Sequence, residues 1–421
     1  LNIPHHILPL RQQAQITDHW LKIRLDTIIP EIMERENFDM WIIACREYNE
    51  DPVIMTMIPA TSMSARRRTI LVFARQADGT VERLTLSRYG YADFYKPIWN
   101  PDDEEQHECL ARIIEERDPQ TIGINTSETF AFGNGLAHME YKLIAEAVDE
   151  KYISRFKSAE RLSVGWLEYR IPDEILAYPR LVEIGHQIIA KAFSTQVIHP
   201  GITTTDDVVW WMRQTMHDMG LEAWFQPTID IQAEGLSFAA INTDTGNLRN
   251  TIMPGDLLHC DMGFYYLGLA TDQQQHAYVL KPNESDVPQG IKDALKDGNR
   301  LQDIHMEEMQ VGRTGNEVLL SALDRAKKED IQPQIYSHPI GYHGHAAGPT
   351  IGLWDRQGGV EGNGDYPLFD KTAYSIELNI IKAVPEWNGQ EVRIMLEEDA
   401  ILTDGKMQWL DGRQDHLYLI G

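Results

Sequence analysis

Asp256-Leu257-Leu258-His259-Cys260-Asp261 opens the stretch that decides how this chain reads, and Ala270-Thr271-Asp272 closes it. Pro254-Gly255 ahead of it supplies a turn, so residues 256–261 read as a strand leaving that turn. A second strand begins near Leu269, with Phe264-Tyr265-Tyr266-Leu267-Gly268 between them. In a hairpin of this size Asp261 and Asp272 can come close on one face. Two carboxylates that close repel each other in a dry site unless cations neutralise them. An aspartate pair alone carries little weight, because hydrophilic turn or edge residues produce the same pattern by chance.

Three further features add to it. Glu377 interrupts Ala373-Tyr374-Ser375-Ile376 and Leu378-Asn379-Ile380-Ile381, an otherwise buried-looking strand. A carboxylate there is costly unless it is paired or metal-bound. Glu397 takes a similar place between Val392-Arg393-Ile394-Met395-Leu396 and Ala400-Ile401-Leu402, where a salt bridge to Arg393 is the plainer explanation. His338, His343 and His345 fall within eight residues of a glycine-rich segment that ends at Gly348-Pro349. Glycine permits close approach to a ligand, and neutral imidazole ligates Mn, Fe, Co or Zn. Two aspartates, one histidine and two glutamates, in that order, make an oxygen-rich ligand set for two divalent ions. Two such ions lower the pKa of a shared water and polarise a carbonyl together. The expected chemistry is metal-dependent hydrolysis.

Composition sets the bounds. The 421 residues allow two or three domains with sizeable cores. The net charge of −26 repels phosphate backbones, so no nucleic-acid partner is expected. No apolar run approaches a membrane-spanning length, and no membrane partner is expected. Cys45, Cys109 and Cys260 lack zinc-finger or CxxC spacing. Cys260, beside Asp261 on a strand, should point away from the acidic face. The chain starts at Leu1 and shows no signal-peptide pattern. A cytoplasmic location is slightly favoured, with export left open.

Periodicity predicts a helix over 15–36, strands at 40–44, 69–73 and 81–86, a helix at 103–117 and a strand at 121–125. This alternation reads as an α/β domain over residues 1–160. Residues 158–172 read as the connection. Helices follow at 173–198 and 205–219, the second capped by Thr204 or Thr205, with Trp210-Trp211 expected in the core or a domain contact. Strands are predicted near 226–232 and 237–242, helices at 287–309 and 315–328, and strands at 373–383 and 391–403. Residues 161–421 therefore read as an α+β domain.

At this point the order of motifs resembles the pita-bread metallopeptidases: Xaa-Pro aminopeptidase, prolidase, methionine aminopeptidase and the creatinase branch. The resemblance runs from residue 173 to the end. Gly255-Asp256-Leu257 leading into Asp261, Asp272 eleven residues on, His343-Gly344, Glu377, and Glu397-Glu398-Asp399-Ala400-Ile401-Leu402-Thr403 carry it. The first 160 residues look like the extra α/β domain of the creatinase branch. The resemblance implies two divalent ions per chain, with manganese favoured and Fe, Co or Zn possible. Asp261 and Asp272 would hold one ion, Asp272 also bridging. His343 and Glu377 would hold the other, and Glu397 would bridge both. It also implies attack by a hydroxide shared between the metals, Glu377 shuttling the proton, a short peptide or small amide as substrate, and a homodimer.

Several positions depart from the family pattern. Leu378-Asn379 stands where Pro-Gly is usual after the fourth ligand. Met395 stands where an arginine usually precedes the fifth, the nearest being Arg393. No histidine lies near 244, seventeen residues before Asp261, and Thr350 stands seven residues after His343 where a second histidine is expected. His338, His345 and His259 are the candidates for the missing roles, which leaves the register between His343 and His345 open. An Xaa-Pro-type peptidase is the leading expectation. A non-peptidase on the same fold, amidinohydrolase or dimethylsulfoniopropionate lyase-like, is the alternative. Retention of all five ligands disfavours a catalytically dead binding module.

Overall fold

The computed structural model describes residues 7–236 and 249–421. The expected strand at 237–242 and position 244 therefore lie outside the described residues. The chain divides into two compact units at Ile171/Pro172 rather than at 160/161.

In the first unit, α1 (Leu10–Arg35) precedes β1 (Met40–Arg46), β2 (Arg68–Arg75), β3 (Val81–Thr85) and the short β4 (Lys96–Pro97). Then come α2 (Gln106–Arg117), β5 (Ile122–Ile124), α3 (His138–Ala147), α4 (Glu150–Ile153), β6 (Phe156–Ser158) and α5 (Glu160–Glu168). The six strands form one sheet in the order β4-β3-β2-β1-β5-β6. The β1–β2 pair is antiparallel, whereas β1–β5 and β5–β6 are parallel, as the alternating pattern implies. Helix α5 explains the later boundary. Gly165 brings it against α1, where a Cβ would lie 3.1 Å from Ile32, and the Arg24 guanidinium donates to the carbonyls of Trp166 and Tyr169. Those bonds satisfy carbonyls at the helix end, so α5 belongs to this unit and is not a linker.

The second unit begins with α6 (Pro172–Ala192) and α7 (Thr205–Met219). Thr204 caps α7, accepting from Asp207 N–H, while Asp207 accepts from Thr204 N–H in return. Trp210 is 55% exposed, not in the core. The buried positions of α7 are Thr205, Val208, Val209, Met212, Thr215 and Met216, and Trp210 falls on the opposite side of that stripe.

Next come β7 (Glu222–Ala223), β8 (Thr228–Gln232), β9 (Leu257–Met262), β10 (Phe264–Tyr266), β11 (Leu269–Ala270) and β12 (Gln273–Val279). Helices α8 (Gln289–Glu308) and α9 (Gly315–Lys328) lead to β13 (Gln332–Ile335), β14 (His338–Ile340), β15 (Thr372–Val384), β16 (Gln390–Thr403), β17 (Lys406–Trp409) and β18 (Tyr418–Ile420). The main sheet runs β13-β15-β16-β12-β9-β8; β14 also pairs β15, β17 pairs β16, and β18 pairs β12. Strands β15 and β16 pair over thirteen residues without a break in register, from Thr372↔Leu402 to Val384↔Gln390. By contrast, β12 meets β16 at the single pair Gln274↔Glu397.

That register sorts the two faces. Even-numbered Tyr374, Ile376, Leu378 and Ile380 join Ile394 and Leu396 in the core formed with α8 and α9. Gly298 lets α8 approach closely, since a Cβ there would lie 2.9 Å from the Leu396 methyl. Odd-numbered Glu377, Asn379, Met395 and Glu397 share the other face. Among the described residues, no helix is long and apolar enough to cross a membrane.

Candidate metal centre

The expected hairpin is more elaborate than a single turn. Asp261 lies near the end of β9, the small β10–β11 ribbon follows, and Asp272 immediately precedes β12. Gly263 is required at the crossover: a Cβ there would lie 2.3 Å from the Thr271 carbonyl oxygen and 2.2 Å from the Trp224 indole nitrogen. Trp224 in turn donates to that carbonyl at 2.9 Å, fixing the backbone one residue before Asp272.

Three overlapping groups of potential ligands converge here: Asp261, Asp272 and Glu397; His338, Glu377 and Glu397; and Asp272, His338 and His345. In each group the ligand atoms lie within 4.8 Å of one another. All four predicted carboxylates are thus brought together, and Glu397 belongs to two of the groups. His338 belongs to two of the groups and His345 to one. The His338 Nε2 lies 3.4 Å from Glu397, 3.7 Å from Asp272 and 3.9 Å from Glu377. His343 is in none of the groups.

The reason for this register is a strand that the sequence conceals. His338-Pro339-Ile340 is β14, paired only with β15, so Pro339 sits at an edge where its missing N–H costs no ladder bond. The pairing sets His338 opposite Ser375, whose hydroxyl donates to Glu397 Oε1 at 2.6 Å. With His338 as the reference, His345 is the histidine seven residues on, and the gap apparent at Thr350 disappears. The rings of His338 and His345 pack edge-on at 4.7 Å, and Trp224 contacts His345 at 5.2 Å. Trp224 also fits against Gly344, where a Cβ would lie 2.3 Å from the indole.

The electrostatics fit divalent cations. Burial, then the charge of Glu397, pushes the carboxyls of Asp261, Asp272 and Glu377 well above the usual carboxylate range. Asp261 Oδ1, Asp272 Oδ1 and His338 Nε2 are buried with no hydrogen-bond partner. Buried acceptors are rarely left so, and bound metal ions would give these atoms partners. Burial, then neighbouring His338, holds the His345 imidazole below its ordinary range, so it is neutral near pH 7.

Some residues at the site were not found by sequence reading. The Gln274 amide donates to Glu377 Oε1 at 2.6 Å and to Glu397 Oε2 at 2.7 Å. His259 Nε2 lies 2.8 Å from Gln274 Oε1, and its Nδ1 lies 3.1 Å from Asp230. His259 shares the acidic face, as the spacing implied, but acts at one remove through Gln274. Asp399 accepts from the Asp272 N–H at 3.1 Å. A buried glutamine two residues into a strand carries no sequence signal of this kind. Cys260 is buried on the opposite face of β9, as alternation requires.

Behind the site, His186 of α6 joins Glu398 at 2.6 Å and Asp411 at 2.7 Å. Burial opposes the charged imidazole, but the Glu398 charge and the bonds to both carboxylates outweigh it and raise its pKa from 6.5 to about 10. A raised folded-state pKa stabilises fully below the unfolded value and ceases to do so as pH climbs through the folded one. His186→Gln should therefore cost about 3 kcal/mol at pH 6, the scale for breaking a buried pair. The deficit should shrink between about pH 7 and 10. Denaturant midpoints of both proteins at pH 6 and pH 10 check this; a constant deficit would contradict it.

A cluster of carboxylates and imidazoles on one face of the main sheet, in a chain whose first unit is α/β, defines a metal-dependent hydrolase of the pita-bread class. The family model for metallopeptidase family M24 matches residues 180–404, more than half of the chain, and the chain belongs to that family. The family uses divalent metal ions, and this chain is an enzyme of the metallopeptidase class. No curated protein matches the sequence. Among solved structures, the X-Pro aminopeptidase of Thermotoga maritima is similar with a TM-score of 0.63 at 16% identity, covering 92% of this chain and 99% of that one. The Xaa-Pro dipeptidase of Bacillus anthracis gives 0.60 at 15%, covering 98% and 100%. The N-terminal domain of the FACT complex subunit SPT16 from chickpea, Cicer arietinum, gives 0.59 at 12%, covering 96% and 99%. At these identities the likeness is one of fold, and it covers both units.

Proposed function

We propose that the chain is a dinuclear metallopeptidase of the Xaa-Pro type, acting on short peptides. The observation that carries this reading is the overlap of the ligand groups at Glu397. A single shared carboxylate between two sets of donors is the arrangement that two neighbouring ions require. In this reading Asp261, Asp272 and Glu397 hold one ion, and His338, Glu377 and Glu397 the other, Asp272 also reaching toward His338. The carboxylate-rich set favours manganese. When bound, the ions supply Lewis acidity toward a substrate carbonyl and acidify a water.

The chain's own groups then have separable tasks. Gln274 holds Glu377 Oε1, so Oε2 is the oxygen available to take up and return a proton. The ring of His345 packs against those of His338 and Trp224 while part of the residue remains open to solvent, and neutral it can donate to a substrate oxygen as charge develops. Gln274 and Ser375 fix Glu397 from two directions, at Oε2 and Oε1.

The test is elemental analysis of the purified protein together with a panel of Xaa-Pro dipeptides, Xaa-Pro-Yaa tripeptides and small amides. About two divalent ions per chain and metal-dependent release of the residue before proline are expected. Met395 and Leu378-Asn379 alter the surroundings of the ligands, so turnover of ordinary Xaa-Pro dipeptides should be weak beside that of a favoured substrate. Full metal loading with no cleavage of any peptide or amide would favour a lyase-like or other non-peptidase reaction instead.

A further inference from the structure

The strand pairing that carries two of the proposed ligands is interrupted beside them, and a side chain bridges the interruption. Strands β13 and β14 both pair with β15, and the register is the same on either side of the break: Ile335↔Leu378 before it, His338↔Ser375 after it. That register sets Tyr336 opposite Glu377. In a regular antiparallel ladder two such residues exchange both backbone bonds or neither. Here the Tyr336 N–H donates to the Glu377 carbonyl at 3.1 Å, but the Glu377 N–H donates to the Ser337 hydroxyl at 3.0 Å. The same hydroxyl donates to the Glu377 carbonyl at 3.0 Å. Ser337 thus grips both backbone groups of one ligand and is the chain neighbour of another, His338.

The hydroxyl is itself held from α8. His305 Nε2 lies 3.0 Å from Ser337 Oγ, and both residues are fully buried. Burial keeps the imidazole neutral, pushing its pKa down from 6.5 to about 3. Its Nδ1 has no hydrogen-bond partner among the described residues. A buried ring nitrogen without a partner costs less as a bare acceptor than as an N–H, so the proton sits on Nε2 and is donated to Ser337. The hydroxyl then accepts from two N–H groups and donates its one proton, which is all a serine can do. Asp261 needs no such device. Its strand β9 is flanked by backbone ladders on both sides, with Thr228 opposite Asp261 on one and Gln274 on the other.

We propose that Ser337 and His305 are a positioning pair for one ion position only, the one that His338 and Glu377 share with Glu397. The inference rests on the dinuclear reading. Ser337 fixes where the main chain of Glu377 lies against that of His338, and His305 fixes the hydroxyl that does so. Asp261 and Asp272 have no contact with either residue, so the other ion position is built without them.

The test uses the whole chain, stripped by chelator and titrated back with manganese alone, followed by calorimetry and by electron paramagnetic resonance. The wild type should take up two ions and give the exchange-coupled spectrum of a pair. Ser337→Ala should bind one ion as the wild type does and the other about 10–100-fold more weakly, the scale for losing a group that orients a ligand. At stoichiometric metal its coupled spectrum should give way to that of isolated manganese. His305→Leu should behave alike, and His305→Gln, which keeps an N–H donor at similar reach, should restore most of the affinity. The ion that Ser337→Ala retains should survive addition of His338→Ala and be lost on addition of Asp261→Ala. If Ser337→Ala does not fold, the two His305 variants decide the matter. Wild-type affinity for both ions in the variants, equal weakening of both, or a His305→Gln protein no better than His305→Leu would overturn the positioning pair while the dinuclear reading stands. A single ion in the wild type itself would refute that reading, and the selectivity claimed here with it.

Discussion

Asp272→Ala is expected to yield a folded protein that binds little metal and has lost its activity. Asp272 takes part in two of the three ligand groups, so its removal takes a ligand from one proposed ion position and a carboxylate from beside His338 at the other. Loss of a partner outside the ligand set commonly costs about 10–100-fold in affinity or activity, and removal of a ligand itself should exceed that. A second consequence separates this from simple unfolding. Without metal, the buried carboxylates of Asp261, Asp272, Glu377 and Glu397 repel one another, which is why burial and mutual charge push the first three toward protonation. Taking one away relieves that repulsion. In chelator, Asp272→Ala should melt no lower than the wild type, although it is inactive in metal. Wild-type metal content in this variant, measured by elemental analysis, would refute the assignment.

The second large effect concerns the histidines. His338→Ala should strip metal from the protein, because its Nε2 lies within 3.9 Å of three carboxylates and has no hydrogen-bond partner. His343→Ala should retain its metal, since His343 belongs to none of the ligand groups. His345 belongs to one ligand group, with Asp272 and His338, but to neither of the two that meet at Glu397, so His345→Ala should lose less metal than His338→Ala and about 10²–10³-fold in turnover, the usual cost of removing one donor to a developing oxyanion. Metal content and kcat for the three variants distinguish the cases. Loss of metal in His343→Ala with retention in His338→Ala would return the ligand to the position suggested by the His343-Gly344 motif.

That contrast shows where the sequence was legible and where it was not. Glu377 and Glu397 could be read because each interrupts a long apolar run, and a strand of thirteen or fourteen residues leaves no doubt about its faces. The aspartates could be read because turn residues bracket them. His338 could not be read in the same way. Its strand is three residues long, contains Pro339, and gains its identity only from pairing with β15. Proline and a glycine-rich continuation make such a segment look like a loop, and a loop gives no face on which to place a side chain. The domain boundary was missed for a similar reason. Helix α5 is short, and what ties it to the first unit is the remote Arg24, which no local pattern announces. Gln274, Ser375 and Trp224 act through contacts made across strands and loops, so their roles exist only after the sheet has formed.

The pairing of β12 with β16 at one position, Gln274 opposite Glu397, has a bearing on how long the folded protein lasts. The two halves of the main sheet are stitched there by little backbone, and the proposed ligands come from segments as far apart as Asp261 and Glu397. Ions bound across that seam would serve as removable rivets, closing loops that the backbone ladder leaves open. Resistance to unfolding and to proteolysis would then follow the surrounding metal supply, rising by about 1.4 kcal/mol per ion for each tenfold excess of free metal over its dissociation constant. For such a chain, metal starvation would shorten lifetime as well as slow turnover, and the abundance of the protein would itself report the metal status of its surroundings.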